Sequence, residues 1–262
     1  MTDSVVVIIP TVRVDDWLSL AVHSALNQEG FRARVVVFHD GVEPDPRQDW
    51  MSDARVTALH SPVRVGLSSG LKRAIATTTE SLIARLDADD LAEPNRFTSQ
   101  LAFLRENAET VLLGSRARRI DEHGAETGAL GHVIGNDVRR ELLRRNVLIH
   151  SSVMFRRAAY DAAGGFDDSI GVSEDFDLWL RMGRLGPIAV QAAQLVSYRV
   201  HSRQMSRSAK PFGHDIRRII ASQRALARAL RVSKLAAWAD RTVWLGAQYL
   251  QYFGLRQLRY RK

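Results

Sequence analysis

SLIARLDADD, Ser81–Asp90, is an apolar run that ends in three carboxylates within four residues. Leu82, Ile83, Ala84 and Leu86 suit a strand buried on both faces, as strands of a parallel sheet are. Asp87, Asp89 and Asp90 then fall at its carboxyl end, where open α/β sheets bind their ligands. Carboxylates this close repel one another. A hard divalent ion, Mg²⁺ or Mn²⁺, relieves that repulsion by taking carboxylate and pyrophosphate oxygens together. The same residues also suit a solvated turn before the helix that Pro94 opens.

Outward from this stretch, strands and helices alternate. Val5–Ile9 is a β-branched run that reads as a strand, and Asp15 or Asp16 can cap a helix running to about Gln28. Arg34–His39 and Arg55–Leu59 read as further strands, and a helix opens at Gly66–Gly70 and runs through Thr77. Pro94–Glu106 is a helix and Thr110–Gly114 a strand. This rhythm predicts an α/β fold, an open, mostly parallel sheet flanked by helices in the Rossmann-like manner. Pro10, Thr11 and Asp40 then share a rim with Asp87 and Asp89. Farther on, Asn136–Arg145 and Arg156–Ala162 read as helices, and Ser151–Phe155 and Leu195–Val200 as strands. Ser173 starts a helix carrying Phe176, Leu178, Trp179, Leu180 and Met182, and from Pro211 on helical patterns dominate.

Several residues carry two readings. Glu174 and Asp175 are favourable charge at a helix start, or a general base fixed near an attacking hydroxyl. His201, closing Tyr198-Arg199-Val200-His201, is a structural histidine, or an imidazole ligand for Mn²⁺ beside Asp89. Pro10-Thr11 and Asp40-Gly41 are ordinary turn chemistry, or they meet a nucleoside, with the Asp40 carboxylate accepting from a base imide. Lys72 and Arg73 are helix surface, or reach the nucleotide. His150-Ser151-Ser152 is a strand start, or lines an acceptor pocket.

Composition narrows the field. The 262 residues contain no cysteine, which excludes disulfides, thiolate nucleophiles and thiolate zinc sites. That absence is compatible with a reducing cytosol. MTDSVVVIIPT lacks the basic n-region and cleavage site of a signal peptide, and no stretch approaches the ~18 apolar residues of a spanning helix. Charge is uneven: residues 207–262 hold 13 Lys/Arg against two acids, Asp215 and Asp240, while residues 1–206 hold 24 Lys/Arg against 27 Asp/Glu. The basic part suits anionic membrane or a phosphate-bearing acceptor; its solvated arginines also suit helices packed on the rest. No G-x-G-x-x-G follows the first strand, against a dinucleotide oxidoreductase. No motif or set of stacking aromatics supports nucleic-acid binding.

Taken in order, VVVIIPTVRVDDWLSLAVHSALNQ, VVVFHDG, VGLSSGLKRAIATTTESLIARLDADD, GGFDDSIGVSEDFDLWLRM and YRVHSRQMS resemble the family 2 glycosyltransferases of the GT-A fold. The resemblance covers roughly residues 4–206. It implies a GT-A catalytic domain over 1–206, with a nucleotide-sugar half over 1–115 and an acceptor half over 116–206. Residues 207–262 follow as a basic helical C-terminal extension. By resemblance, Asp87 hydrogen-bonds the ribose and Asp89 ligates Mg²⁺ or Mn²⁺ bridging the diphosphate. His201 is a further ligand, and Asp40 with Pro10 and Thr11 lines the nucleoside pocket. Asp175 is the base, with Glu174 beside it. The implied reaction is inverting transfer from a nucleotide-diphosphate sugar, UDP or dTDP favoured, to a hydroxyl of a glycan or lipid-linked acceptor. Apart from the resemblance, the basic amphipathic pattern of 207–262, with Trp238, Trp244, Tyr249 and Tyr252, suits a cytoplasmic protein held peripherally on the inner face of the cell membrane, or helices packed on the catalytic domain. His39 before Asp40, Val42 after Gly41 and Ser68 where asparagine is common depart from the family pattern and bear on nucleotide and sugar preference. A nucleotidyltransferase making the activated sugar is the rival enzyme, although Thr11–Trp17 lacks the glycine-rich basic loop expected of one. A non-catalytic sugar- or membrane-binding module is the rival without chemistry.

Overall fold

A computed structural model describes residues 4–171, 173–204 and 216–252, with side chains to 250. Strands β1 (Val5–Thr11), β2 (Arg34–Asp40), β3 (Val56–Ser61) and β4 (Leu82–Arg85) pair in the order β3-β2-β1-β4, all parallel. Beyond β4 the order continues β8-β6-β9-β5, where β8 is Met154–Arg156, β6 Leu112–Ile120, β9 Ile188–Arg199 and β5 Leu91–Ala92. β8 lies antiparallel to both β4 and β6, so β6 and its parallel neighbour β9 run in the same direction as β1–β4. The predicted open, mostly parallel sheet is therefore present, with β5, β8 and β7 (Glu126–Leu130, beside β6) opposing it.

Alternation along the strands divides the core in two. Val5, Val7 and Ile9 of β1 face one cluster with α1 (Asp16–Leu26) and α3 (Arg96–Glu106). Val6 and Ile8 face the other, with α2 (Leu67–Ala76), α6 (Glu174–Met182) and α7 (Ile216–Ala229). Both faces of β1 are thus apolar, which is why its sequence lacks the polar alternation of a half-exposed strand. Asp15 caps α1, its carboxylate accepting from the Leu18 N–H at 3.2 Å. Gly70 of α2 sits where a Cβ would lie 2.8 Å from the Phe38 ring, so this helix approaches the sheet by having no side chain there.

Several boundaries differ from the sequence expectations. β6 runs on to Ile120, well past the predicted Gly114, because Arg116, Arg118 and Arg119 sit on a strand flanked by β7 and β9. β9 starts at Ile188, seven residues before the predicted Leu195. The helix expected over Asn136–Arg145 is the short α4, Arg139–Leu142. Ser151 lies in a single 3-10 turn, His150–Ser152, rather than in a strand.

The C-terminal helices pack on the sheet domain. Ile219, Leu226 and Ala227 of α7 join the core around Phe176, Trp179 and Met182. In α8 (Lys234–Tyr252), Trp244 pairs with the Phe176 ring at 6.3 Å, and buried Asp240 takes Arg140 and, at 2.6 Å, Arg144 Nε. The expected boundary at 206/207 and the basic end Arg256–Lys262 lie outside the described residues.

Candidate active site

The acidic stretch does three different jobs. After β4, the Leu86 N–H still pairs with the Ile8 carbonyl at 3.2 Å, and the chain then turns, the Asp90 N–H reaching the Asp87 carbonyl at 3.2 Å. Buried Asp90 accepts the backbone N–H of Arg199 at 2.8 Å, and Arg199 Nε donates to the Asp89 carbonyl at 2.9 Å. Asp90 thereby ties the end of β9 onto the turn. Burial raises its pKa well above the usual carboxylate range, and Asp87 and Asp89 add to the rise.

Asp87 faces the other way. Its oxygens accept from Ser151 Oγ at 2.6 Å and from Arg85 Nη2 at 2.5 Å. Burial pushes its pKa up, but Arg85, His150 and Ser151 more than offset that and hold it below the ordinary value. Arg85 is itself buried at the end of β4, where a cation needs such a partner.

Asp89 meets His201: Nε2 and Oδ2 are 2.8 Å apart. Nδ1 of the same ring accepts the Arg203 N–H at 3.2 Å, which leaves Nε2 as the protonated nitrogen that donates to Asp89. Trp17 of α1 lies 4.7 Å from the His201 ring, with Arg199 and Arg203 over its indole at 5.2 and 4.9 Å. The Asp89 pKa is raised by burial and by Asp87, partly countered by His201. If the ring's proton moved to Nδ1, at the expense of the Arg203 N–H contact, Nε2 and the Asp89 carboxylate could serve as neighbouring ligands of one ion, whose bonds are about 2.0–2.1 Å. Among the described residues no set of three or more side chains could hold a metal. An ion here would therefore draw its other oxygens from elsewhere, as Mg²⁺ does when it takes substrate phosphates. The donor set fits Mg²⁺ or Mn²⁺ on those terms.

Glu174 and Asp175 open α6 behind Ser173, which holds a left-handed φ of 67°. Glu174 is buried, and burial together with the adjacent Asp175 pushes its pKa up to about 8. Asp175 is half-buried, and its two oxygens accept from Asn146 Nδ2 at 3.0 Å and the Phe176 N–H at 2.6 Å. His150 joins the two acid groups. Burial first, then Arg85, pushes it down to about 4, while Asp175 and Asp87 pull the other way. Its ring packs 6.2 Å from Phe166 and 6.0 Å from Trp179. The acids at 87 and 89, His201 and the 174–175 step are therefore neighbours of neighbours.

Pro10, Thr11 and Asp40 lie at the ends of β1 and β2. Asp40 accepts from the Val65 N–H at 2.6 Å and the Gly66 N–H at 3.0 Å, so its carboxylate also shapes the loop into α2. Thr11 Oγ1 is engaged with the Arg13 backbone. Lys72 reaches Asp168 at 2.6 Å, in the loop that leads to α6. Sequence reasoning missed Arg85, Asn146, Trp17 and the anchoring role of Asp90. Arg85 had a signal, a cation inside an apolar strand; Asn146 had none.

Both ring nitrogens of buried His39 lack a hydrogen-bond partner among the described residues, and burial with nearby His60 lowers its pKa to about 4. Below pH 6.5 the unfolded chain takes up a proton that the folded chain refuses until about pH 4. Stability contributed by neutral His39 is therefore complete above pH 6.5 and is lost as pH falls towards 4, by up to ~3 kcal/mol. His39→Leu is expected to shrink the drop in urea midpoint between pH 7 and pH 5. An unchanged drop would assign the acid sensitivity elsewhere, His150 first.

A family model described as Glycosyl transferase family 2 matches residues 6–163. The chain is 31% identical over 171 residues to the amylovoran biosynthesis glycosyltransferase AmsE of Erwinia amylovora, covering 63% of this chain and 64% of that protein. It is 26% identical over 216 residues to the O-antigen biosynthesis glycosyltransferase WbnJ of Escherichia coli, covering 79% and 84%. The chain thus spans slightly under two thirds of the first relative's length. Among solved structures, S. aureus TarS 1-349 in complex with UDP-GlcNAc superposes with a TM-score of 0.73 at 14% identity, over 95% of this chain and 73% of that one. A likeness at that identity is one of fold. Glu174, Asp175 and His201 lie beyond the residues matched by the family model.

Proposed function

This chain belongs to glycosyl transferase family 2 and is a glycosyltransferase; from that premise we propose an inverting transfer from a nucleotide-diphosphate sugar, UDP or dTDP, to a hydroxyl of a glycan or lipid-linked acceptor. The names of the relatives, which make amylovoran and O-antigen, support a role in polysaccharide biosynthesis of the cell envelope. Family membership replaces both the nucleotidyltransferase and the non-catalytic readings. The proposal extends to the domain plan, a catalytic domain over 1–206 followed by a basic extension. It also includes peripheral contact of 207–262 with the inner face of the cell membrane from the cytoplasm.

The observation that carries the reading is the contact of Asp89 with His201 at 2.8 Å, on a turn where a second acid, Asp87, shares His150 with Asp175. Asp87 takes the ribose, and Pro10, Thr11 and Asp40 the nucleoside; Lys72 reaches the nucleotide. Asp89 and His201 hold Mn²⁺ or Mg²⁺, which when bound offsets charge on the leaving diphosphate. Asp175 accepts the acceptor's proton as the hydroxyl attacks the anomeric carbon. Asn146 and the Phe176 N–H fix that carboxylate without consuming its remaining lone pairs. Glu174 keeps its proton up to about pH 8, so it spares Asp175 a second adjacent charge.

A thermal-shift panel of nucleoside diphosphates and their sugars, with Mn²⁺ or EDTA, tests this. UDP or dTDP at a hundred times its Kd is expected to stabilise by about 2.7 kcal/mol, a rise of about 5–10 °C, in Mn²⁺ alone. Equal shifts from every nucleotide, independent of metal, would count against it.

A further inference from the structure

α8 presents an apolar face that no described residue covers. Leu235, Trp238, Val243 and Leu250 are each more than half exposed, Leu235 at 76%. Helical spacing sets them on one side, with exposed Ala239, Thr242 and Gly246 between them. Lys234 and Arg241, two turns apart, run along one edge of that face. Arg241 and Arg224 of α7 together line a small crevice between the two helices. From Arg224 the exposed cations continue along α7 through Arg217 and Arg228, with Arg231 just beyond its end. Among the described residues of α7 and α8 the one carboxylate is Asp240, buried and already neutralised by Arg140 and Arg144. An exposed apolar strip beside a row of arginines, with no exposed acid, has a definite complement: an apolar layer edged by anions. A second copy of the chain is a poor occupant, because a symmetric contact would bring these cations against their own mates with nothing to offset them. No described helix is long and apolar enough to cross a membrane.

We propose that α7 and α8 dock the enzyme on an anionic lipid bilayer. α8 sinks its Leu235–Trp238–Val243–Leu250 face to the headgroup boundary, and the α7 arginines meet lipid phosphates. Trp238, an apolar ring with a polar tip, suits that depth. This names the surface and the partner of the membrane contact proposed above and rests on that reading, not on the chemistry at Asp175. Since Trp244 packs α8 against Phe176 of α6 and Asp240 ties it to Arg140 and Arg144, docking would hold the start of α6 at a set height over the membrane, where a lipid-linked acceptor presents its hydroxyl.

The test is co-sedimentation of the full chain with vesicles of phosphatidylcholine, alone or mixed equally with phosphatidylglycerol. The mixed vesicles are expected to bind at least tenfold more protein, and added salt to reduce the difference. Trp238→Glu with Leu235→Glu should lower binding at least tenfold. Arg224→Glu with Arg228→Glu should erase the preference for the anionic lipid. Both variants must keep the wild-type melting temperature and nucleotide response, so that failure here stays distinct from failure of the transferase reading. Wild-type protein that ignores anionic vesicles, or binds both kinds equally, overturns the proposal. So does a solution dimer that Trp238→Glu splits while vesicle binding is absent.

Discussion

Asp175→Asn is expected to lower kcat for sugar transfer by about 10³-fold, within the range for loss of a general base, while nucleotide affinity holds. The size follows from the chemistry lost. An amide of the same shape cannot take a proton from the attacking hydroxyl, and no neighbour stands ready to replace it. Glu174 is adjacent but keeps its own proton to about pH 8, so it is a poor acceptor at neutral pH. His150 is held down to about 4 and stays a neutral ring. The fold should survive, at a cost of about 1 kcal/mol. Whichever way the new amide turns, its NH2 faces either the Asn146 amide or the Phe176 N–H, which now contact both oxygens of Asp175. The check is steady-state transfer beside nucleotide thermal shift on the same sample. Ordinary turnover would remove Asp175 from the mechanism and direct attention to Glu174→Gln.

The second large effect concerns the donor. Asp89→Ala should abolish the part of the nucleotide-induced rise in Tm that depends on Mn²⁺, about 5–10 °C near saturation. The unliganded variant is not expected to melt much lower, because removing Asp89 also relieves repulsion on Asp87 and Asp90, the latter already pushed upwards by both neighbours. Asp89→Asn separates two explanations. It can still accept from His201 Nε2, now 2.8 Å away, but it brings no negative charge to a cation. If the contact with His201 were only structural, the asparagine variant would respond to nucleotide and Mn²⁺ like the parent. If Asp89 holds the ion, both variants lose the response. A rise of the same height in EDTA and in Mn²⁺ would sink the metal role for the parent protein as well.

Much of the first 115 residues was legible because its signals are local. The Val5–Ile9 run, buried on both faces, could hardly be anything but an inner strand, and Leu82–Leu86 feeding the acid stretch sits on the rim where expected. Residues 116–206 were harder. β6 past Gly114 alternates arginine with small apolar residues, a pattern that resembles loop until β7 and β9 supply the partners. The length of β9 was hidden by Gln191-Ala192-Ala193-Gln194, which carries little β preference of its own.

The sequence by itself determined the layered α/β architecture, the position of the acids at a strand end and the basic character of the C-terminal part. Those follow from burial, periodicity and charge, which are properties of neighbouring residues. Tertiary structure alone decided how the acids divide their work. Asp87 goes to Arg85 and Ser151, Asp89 to His201, and Asp90 to the backbone of Arg199, partners as far as 112 positions along the chain. It likewise decided that Asn146 holds Asp175 and that no described residue covers the Leu235–Trp238–Val243–Leu250 face of α8. No local pattern encodes those pairings, because a carboxylate's neighbours and proton affinity depend on which distant elements the packed core brings against it.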